Sequence, residues 1–122
     1  VDNGAMIDYI RRCAGTAEVM TSVCTGAFLL ERAGLLQGKR ATTHWASLDR
    51  LRELGTVEVV EERWVDNGNV ITAAGVSAGI DMALYLVGRL WSPETARRVQ
   101  KGIEYFPSPP YADLPVPAAV AR

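Results

Sequence analysis

Apolar and polar positions alternate along the chain at two periods. Met6, Ile7, Ile10 and Cys13 recur at helical spacing, with Asp8, Arg11 and Arg12 between them. Residues 4–14 are therefore expected to form an amphipathic helix, which Gly15 stops. Glu18–Val23 carries Val19, Met20 and Val23 and predicts a short buried strand. The pattern breaks at Cys24, and Ala27-Phe28-Leu29-Leu30 opens a second helix ending near Gly34. After a turn at residues 35–40, Ala41-Thr42-Thr43 reads as a brief strand. Trp45, Leu48, Leu51 and Leu54 then form a helical stripe closed by Gly55. Val57-Glu58-Val59-Val60, Arg63-Trp64-Val65-Asp66 and Val70-Ile71-Thr72-Ala73 read as extended. The Asn67-Gly68 pair between the last two is a hairpin signal. Ile80–Trp91 is apolar enough to predict a buried helix, and Ser92-Pro93-Glu94 starts another over residues 93–101. Residues 104–122 hold Pro107, Pro109, Pro110, Pro115 and Pro117 and predict an extended arm.

Strands that alternate with helices predict an α/β fold, with a mostly parallel sheet and helices on its faces. The 122 residues fit one domain or part of one. Some 48% apolar and 22% charged residues exclude a disordered chain. A net charge of −1 argues against a nucleic-acid or anionic-membrane surface. No apolar run reaches the ~20 residues that span a bilayer. With 2 cysteines the chain is no secreted disulfide scaffold, so a reduced, cytoplasmic setting is expected. One histidine and two separated cysteines make no metal cluster, and no cofactor pattern is complete.

The chemistry centres on Ser22-Val23-Cys24-Thr25-Gly26-Ala27, where a buried strand turns directly into a helix. A residue on such an elbow is exposed above the sheet edge, and the N–H groups that follow it favour a thiolate and an oxyanion. Gly26 permits close backbone approach. Cys24 reads as a nucleophile or, equally, as a small apolar residue at a tight turn. His44, the only histidine, follows a short strand and is placed to meet Cys24 at the crevice where strand ends converge, although a histidine beside Trp45 also suits simple packing. Gly75-Val76-Ser77-Ala78-Gly79 ends a third strand on that edge and fits G-x-S-x-G, but no second histidine serves Ser77. Cys13 reads as structural. Charged pairs, including Glu61-Glu62-Arg63, read as solvated faces.

Three segments, Thr21–Ala27, Ala41-Thr42-Thr43-His44-Trp45 and Val70–Asp81, together resemble the ThiJ/PfpI superfamily. More narrowly they are similar to its isonitrile-hydratase-like branch and to the amidotransferase-like domain of AraC-type regulators. Glu104-Tyr105 and Pro109-Pro110-Tyr111 fit that branch's C-terminal arm. The resemblance implies a flavodoxin-like three-layer sandwich, a homodimer and a small-molecule substrate, with no cofactor. It implies Cys24 as the nucleophile, with Thr25 supplying a hydroxyl and an N–H beside it. Gly26 would allow the backbone approach, His44 and Trp45 would line the pocket, and Ser77 and Gly79 would form its wall. Thr25 stands where protease-like members often carry histidine, which argues against a peptidase. The family's acidic partner of the thiol, at the end of its first strand, is not among these residues. The chain is thus expected to be the C-terminal portion of one domain, with roughly 70–80 residues, about three βα units, lying upstream. Alone it is expected to be poorly stable and inactive. The activity implied is isonitrile hydration, a lyase reaction. The alternatives are a ligand-sensing domain of a regulator and a glyoxalase or stress-response member.

Overall fold

The computed structural model describes residues 3–111 and 113–116. Helix α1 (Gly4–Ala14) matches its predicted bounds. The Asn3 side chain accepts the Met6 N–H at its start, and the Gly15 N–H bonds back to the Arg12 carbonyl at its end. Strand β1 (Met20–Val23) runs into a single 3₁₀ turn (Cys24–Gly26) and then α2 (Ala27–Arg32). The order continues with β2 (Arg40–Ala41), a 3₁₀ turn (Trp45–Ser47), α3 (Leu48–Glu53), β3 (Glu58–Val59), β4 (Trp64–Asp66), β5 (Val70–Ala73), α4 (Val76–Leu90) and α5 (Pro93–Gly102).

β5 is the centre of a three-stranded sheet. It pairs in parallel with β1, Met20 opposite Val70 and Val23 opposite Ala73, and antiparallel with β4 across the Asn67-Gly68 turn. All four β5 residues are buried because helices cover both faces. Val70 joins Phe28, Leu30, Leu36 and Leu51 on the side of α2 and α3. Ile71 and Ala73 meet Met82 of α4 on the other. This is the three-layer, largely parallel arrangement expected.

The structure departs from the sequence reading in four places. The strand predicted over Ala41–Thr43 ends at Ala41, and β2 pairs with β3 in a separate parallel ladder rather than extending the main sheet. Thr42 and Thr43 leave the ladder because their polar groups bond elsewhere: the Thr42 N–H donates to Thr72 Oγ1 and the Thr43 hydroxyl to the Cys24 carbonyl. Helix α4 begins at Val76 rather than Ile80, because Gly75 takes an extended backbone and its carbonyl accepts the Gly79 N–H, closing a first turn of small residues. Nor is α4 buried all round. Ala78, Gly79 and Met82 face inward, whereas Val76 and Trp91 are exposed. Finally, Arg63 is not on a solvated face but is 9% exposed.

Candidate active site

The sheet delivers Cys24 to the elbow in a left-handed backbone, φ 60°. That region is unfavourable for a residue with a Cβ, at about 1–3 kcal/mol, so the surrounding contacts must hold it. Two hydrogen bonds do so, beside one packing contact. The Cys24 N–H donates to the Ala74 carbonyl at 2.6 Å, at the end of β5. The Cys24 carbonyl accepts the buried Thr43 hydroxyl at 2.8 Å, from the segment after β2. Gly26 packs over Ser22, where an added Cβ would stand 3.6 Å from the serine Cβ. Cys24 itself is half-buried and Thr25 is exposed. Within the turn, the Ala27 N–H bonds the Cys24 and Thr25 carbonyls. The N–H groups of Thr25 and Gly26 belong to the first helical turn, where no intrahelical acceptor exists.

His44 lies against Gly75, with ring Cδ2 at 3.8 Å from the position of an added Cβ there. Its Nδ1 accepts the Ala46 N–H at 3.1 Å. In the neutral ring this puts the proton on Nε2. Trp45 is 54% exposed, its ring 5.7 Å from that of His44. The elbow, the His44 segment and the Ala74-Gly75 segment thus converge, joined by the Cys24–Ala74 main-chain bond, the Thr43 hydroxyl and the packing of His44 on Gly75.

Ser77 and Gly79 take different parts. Gly79 is where α4 crosses β1: a Cβ there would stand 2.8 Å from Val23 Cγ1. Ser77 turns to a polar group the sequence did not disclose. Arg63 Nε donates to Asp81 Oδ2 at 2.9 Å, Arg63 Nη2 approaches Ser77 Oγ at 3.4 Å, and the Tyr105 hydroxyl donates to Asp81 Oδ1 at 2.7 Å. The Asp81 hydrogen bond, with partial burial, raises the Tyr105 hydroxyl above its ordinary pKa. This clasp ties the start of the hairpin, helix α4 and the proline-rich arm together. It reaches the elbow through main chain, since the Arg63 carbonyl accepts the Ala74 N–H at 2.8 Å. Thr43 lies in the Ala41–Trp45 segment that carries the family resemblance, but the local pattern gives its hydroxyl no role of its own. Pro117 and the residues after it, predicted as the end of the arm, lie outside the described residues. Among the described residues no group of three or more metal-ligating side chains comes together.

Comparison with known proteins bears on the whole arrangement. The chain is 51% identical over 105 residues to isonitrile hydratase from Pseudomonas putida, covering 86% of this chain and 46% of that protein. It is 33% identical over 98 residues to the HTH-type transcriptional regulator CdhR of Pseudomonas aeruginosa, covering 80% of this chain and 29% of the regulator. The chain therefore spans less than half the length of these curated relatives. A ThiJ/PfpI family protein from Pseudomonas syringae superposes with a TM-score of 0.83 at 37% identity, covering 90% of this chain and 45% of that one. Drosophila melanogaster DJ-1beta, at 20% identity and a TM-score of 0.72 over 87% of this chain and 56% of its own, shares the fold. With the DJ-1/PfpI family pattern matching residues 1–89, from α1 through most of α4, the chain belongs to the DJ-1/PfpI family.

Proposed function

We propose that this chain carries the nucleophile portion of an isonitrile-hydratase-like site, with Cys24 as the attacking thiolate. The strained, doubly tethered backbone of Cys24 is the observation that carries this reading. The 51% identity to an isonitrile hydratase supports the choice of substrate.

In this scheme the Cys24 sulfur forms a bond to the terminal carbon of R–N≡C. That carbon takes up a proton to give the thioimidate R–N=CH–S–Cys24. The N–H groups of Thr25 and Gly26 and the Thr25 hydroxyl steady the charge that develops. Water then adds to the same carbon, the C–S bond breaks, and R–NH–CHO leaves with the thiol restored. Isonitrile and water thus account for every atom of the formamide. His44, which packs on Gly75, and Trp45 are assigned to the wall on that side of the elbow. The carboxylate that handles the protons is assigned to the part of the domain outside these 122 residues, so 1–122 is one portion of the working unit. A homodimer of the full protein is part of the proposal, as is a cytoplasmic setting.

The test is turnover of a simple alkyl isonitrile by the full-length protein, followed as formamide. Cys24→Ala is expected to lower kcat by at least about a thousandfold. Equal rates would sink the assignment.

A second reading, a ligand-sensing domain that binds at the same elbow without turnover, is favoured by the 33% identity to a transcriptional regulator. It requires a DNA-binding domain in the full protein and wild-type protein that binds an isonitrile but releases it unchanged. Consumption of glyoxal without isonitrile turnover would instead assign the glyoxalase or stress-response role.

A further inference from the structure

We infer that Arg50 makes this site selective for an organic substrate bearing a carboxylate; the inference rests on the hydratase reading for the reaction, and on its own geometry for the charge. A cavity of about 370 Å³ opens between α2 and α3, lined by Thr25, Gly26, Phe28, Leu29 and Arg50. That volume suits a small organic ligand. Two of its lining residues follow the nucleophile directly. Phe28 and Leu29 supply an apolar side, and Arg50 supplies the charge.

The guanidinium carbon of Arg50 stands 5.1 Å from the centroid of the Phe28 ring. Stacking of this kind orders the planar group while leaving its N–H edges free, the arrangement that receives a carboxylate bidentately. Two other arginines have carboxylate partners. Arg52, on the same helix, pairs with Asp49 at 3.0 Å and Glu61 at 3.2 Å, and Arg40 lies 3.9 Å from Glu58. Arg50 has no carboxylate partner among the described residues. An exposed guanidinium stacked on Phe28, in a cavity whose lining includes the two residues that follow Cys24, fits a ligand with a small reactive end, an apolar body and an anionic tail. Charge on the substrate would place the reactive carbon toward the elbow, and neutral analogues would lose that placement.

The experiment compares two pairs of probes on the full-length protein. Iodoacetate and iodoacetamide alkylate Cys24 by the same displacement of iodide and differ chiefly in charge. Their rate ratio, normalised to that of free cysteine, is expected to exceed one and to fall about fivefold in Arg50→Gln, with partial recovery in Arg50→Lys. A ratio unchanged by Arg50→Gln overturns the inference, including the case in which both rates fall together because Arg50 merely props α2. The second pair is an isonitrile bearing a carboxylate and its methyl ester. The ratio of their kcat/KM values is expected to favour the carboxylate and to drop about tenfold in Arg50→Gln. If the alkylation ratio shifts but neither isonitrile is hydrated, the hydratase reading fails and the charge selectivity stands. If both are hydrated with a ratio insensitive to Arg50, the selectivity fails and the hydratase reading stands.

Discussion

Cys24 is held where a glycine would be more comfortable. Its φ of 60° carries a Cβ that glycine lacks, and the bonds to Ala74 and Thr43 keep it there. The strain is separable from the thiol. In the full-length protein, Cys24→Gly is expected to be about 0.5–1 kcal/mol more stable than Cys24→Ala, although both lack the sulfur. Calorimetric melting of the two variants checks this, and a less stable glycine variant would remove strain from the account. The position of this residue was legible in the sequence, because an apolar strand pattern that stops abruptly before a small-residue turn leaves few geometries. The roles of Thr43 and Arg50 were not. A hydroxyl that closes on a carbonyl 19 positions away, and a guanidinium that stacks on a ring from another helix, depend on tertiary placement that no local pattern encodes.

Among elements, α4 and β1 lie close together at Gly79. Gly79 lets the helix lie against Val23, and an added methyl would meet both Val23 γ-carbons inside 3.0 Å. Gly79→Ala is therefore expected to destabilise by about 1–3 kcal/mol despite alanine's better helix propensity, because overpacking outweighs it. Val23→Ala, though destabilising alone, should recover part of that loss in the double variant. A double-mutant cycle on urea midpoints measures the coupling, and strict additivity would place the strain elsewhere. Helix α1, the hairpin and the Ser92 cap followed from periodicity and turn chemistry. The first turn of α4 did not, since Val76–Gly79 is made of small residues with weak apolar periodicity. The departure of Thr42 and Thr43 from β2 was hidden for a related reason: threonines suit a strand, and only the nearby Thr72 and Cys24 draw their polar groups away.

Across the whole molecule, charged clasps join the hairpin to α4 at two places. At one, Arg63 meets Asp81. At the other, Asp66 is held by Tyr85, Arg89 and the Gly68 N–H. Burial alone would raise the Asp66 carboxyl, but these hydrogen bonds outweigh it and keep it below its ordinary value. A carboxylate depressed in the folded state adds stability that is fully present above its unfolded pKa of about 3.9, and that stability is lost as pH falls through the lower folded value. Asp66→Asn should cost about 1–2 kcal/mol at pH 7, and the gap from wild type should narrow below pH 4. Denaturation at both pH values reads it, and a gap independent of pH would rule out the charge. The tether at the elbow also has a meaning in time. Met20 pairs with Val70, and the Cys24 amide bonds to the Ala74 carbonyl. While the chain emerges from the ribosome, Cys24 is made before Thr43 and Ala74, the two residues that hold it. The strained elbow comes into being only when β5 docks, and any opening of β5 dissolves it. Because β5 is the buried centre of the sheet, the geometry proposed for reaction exists only in the assembled fold.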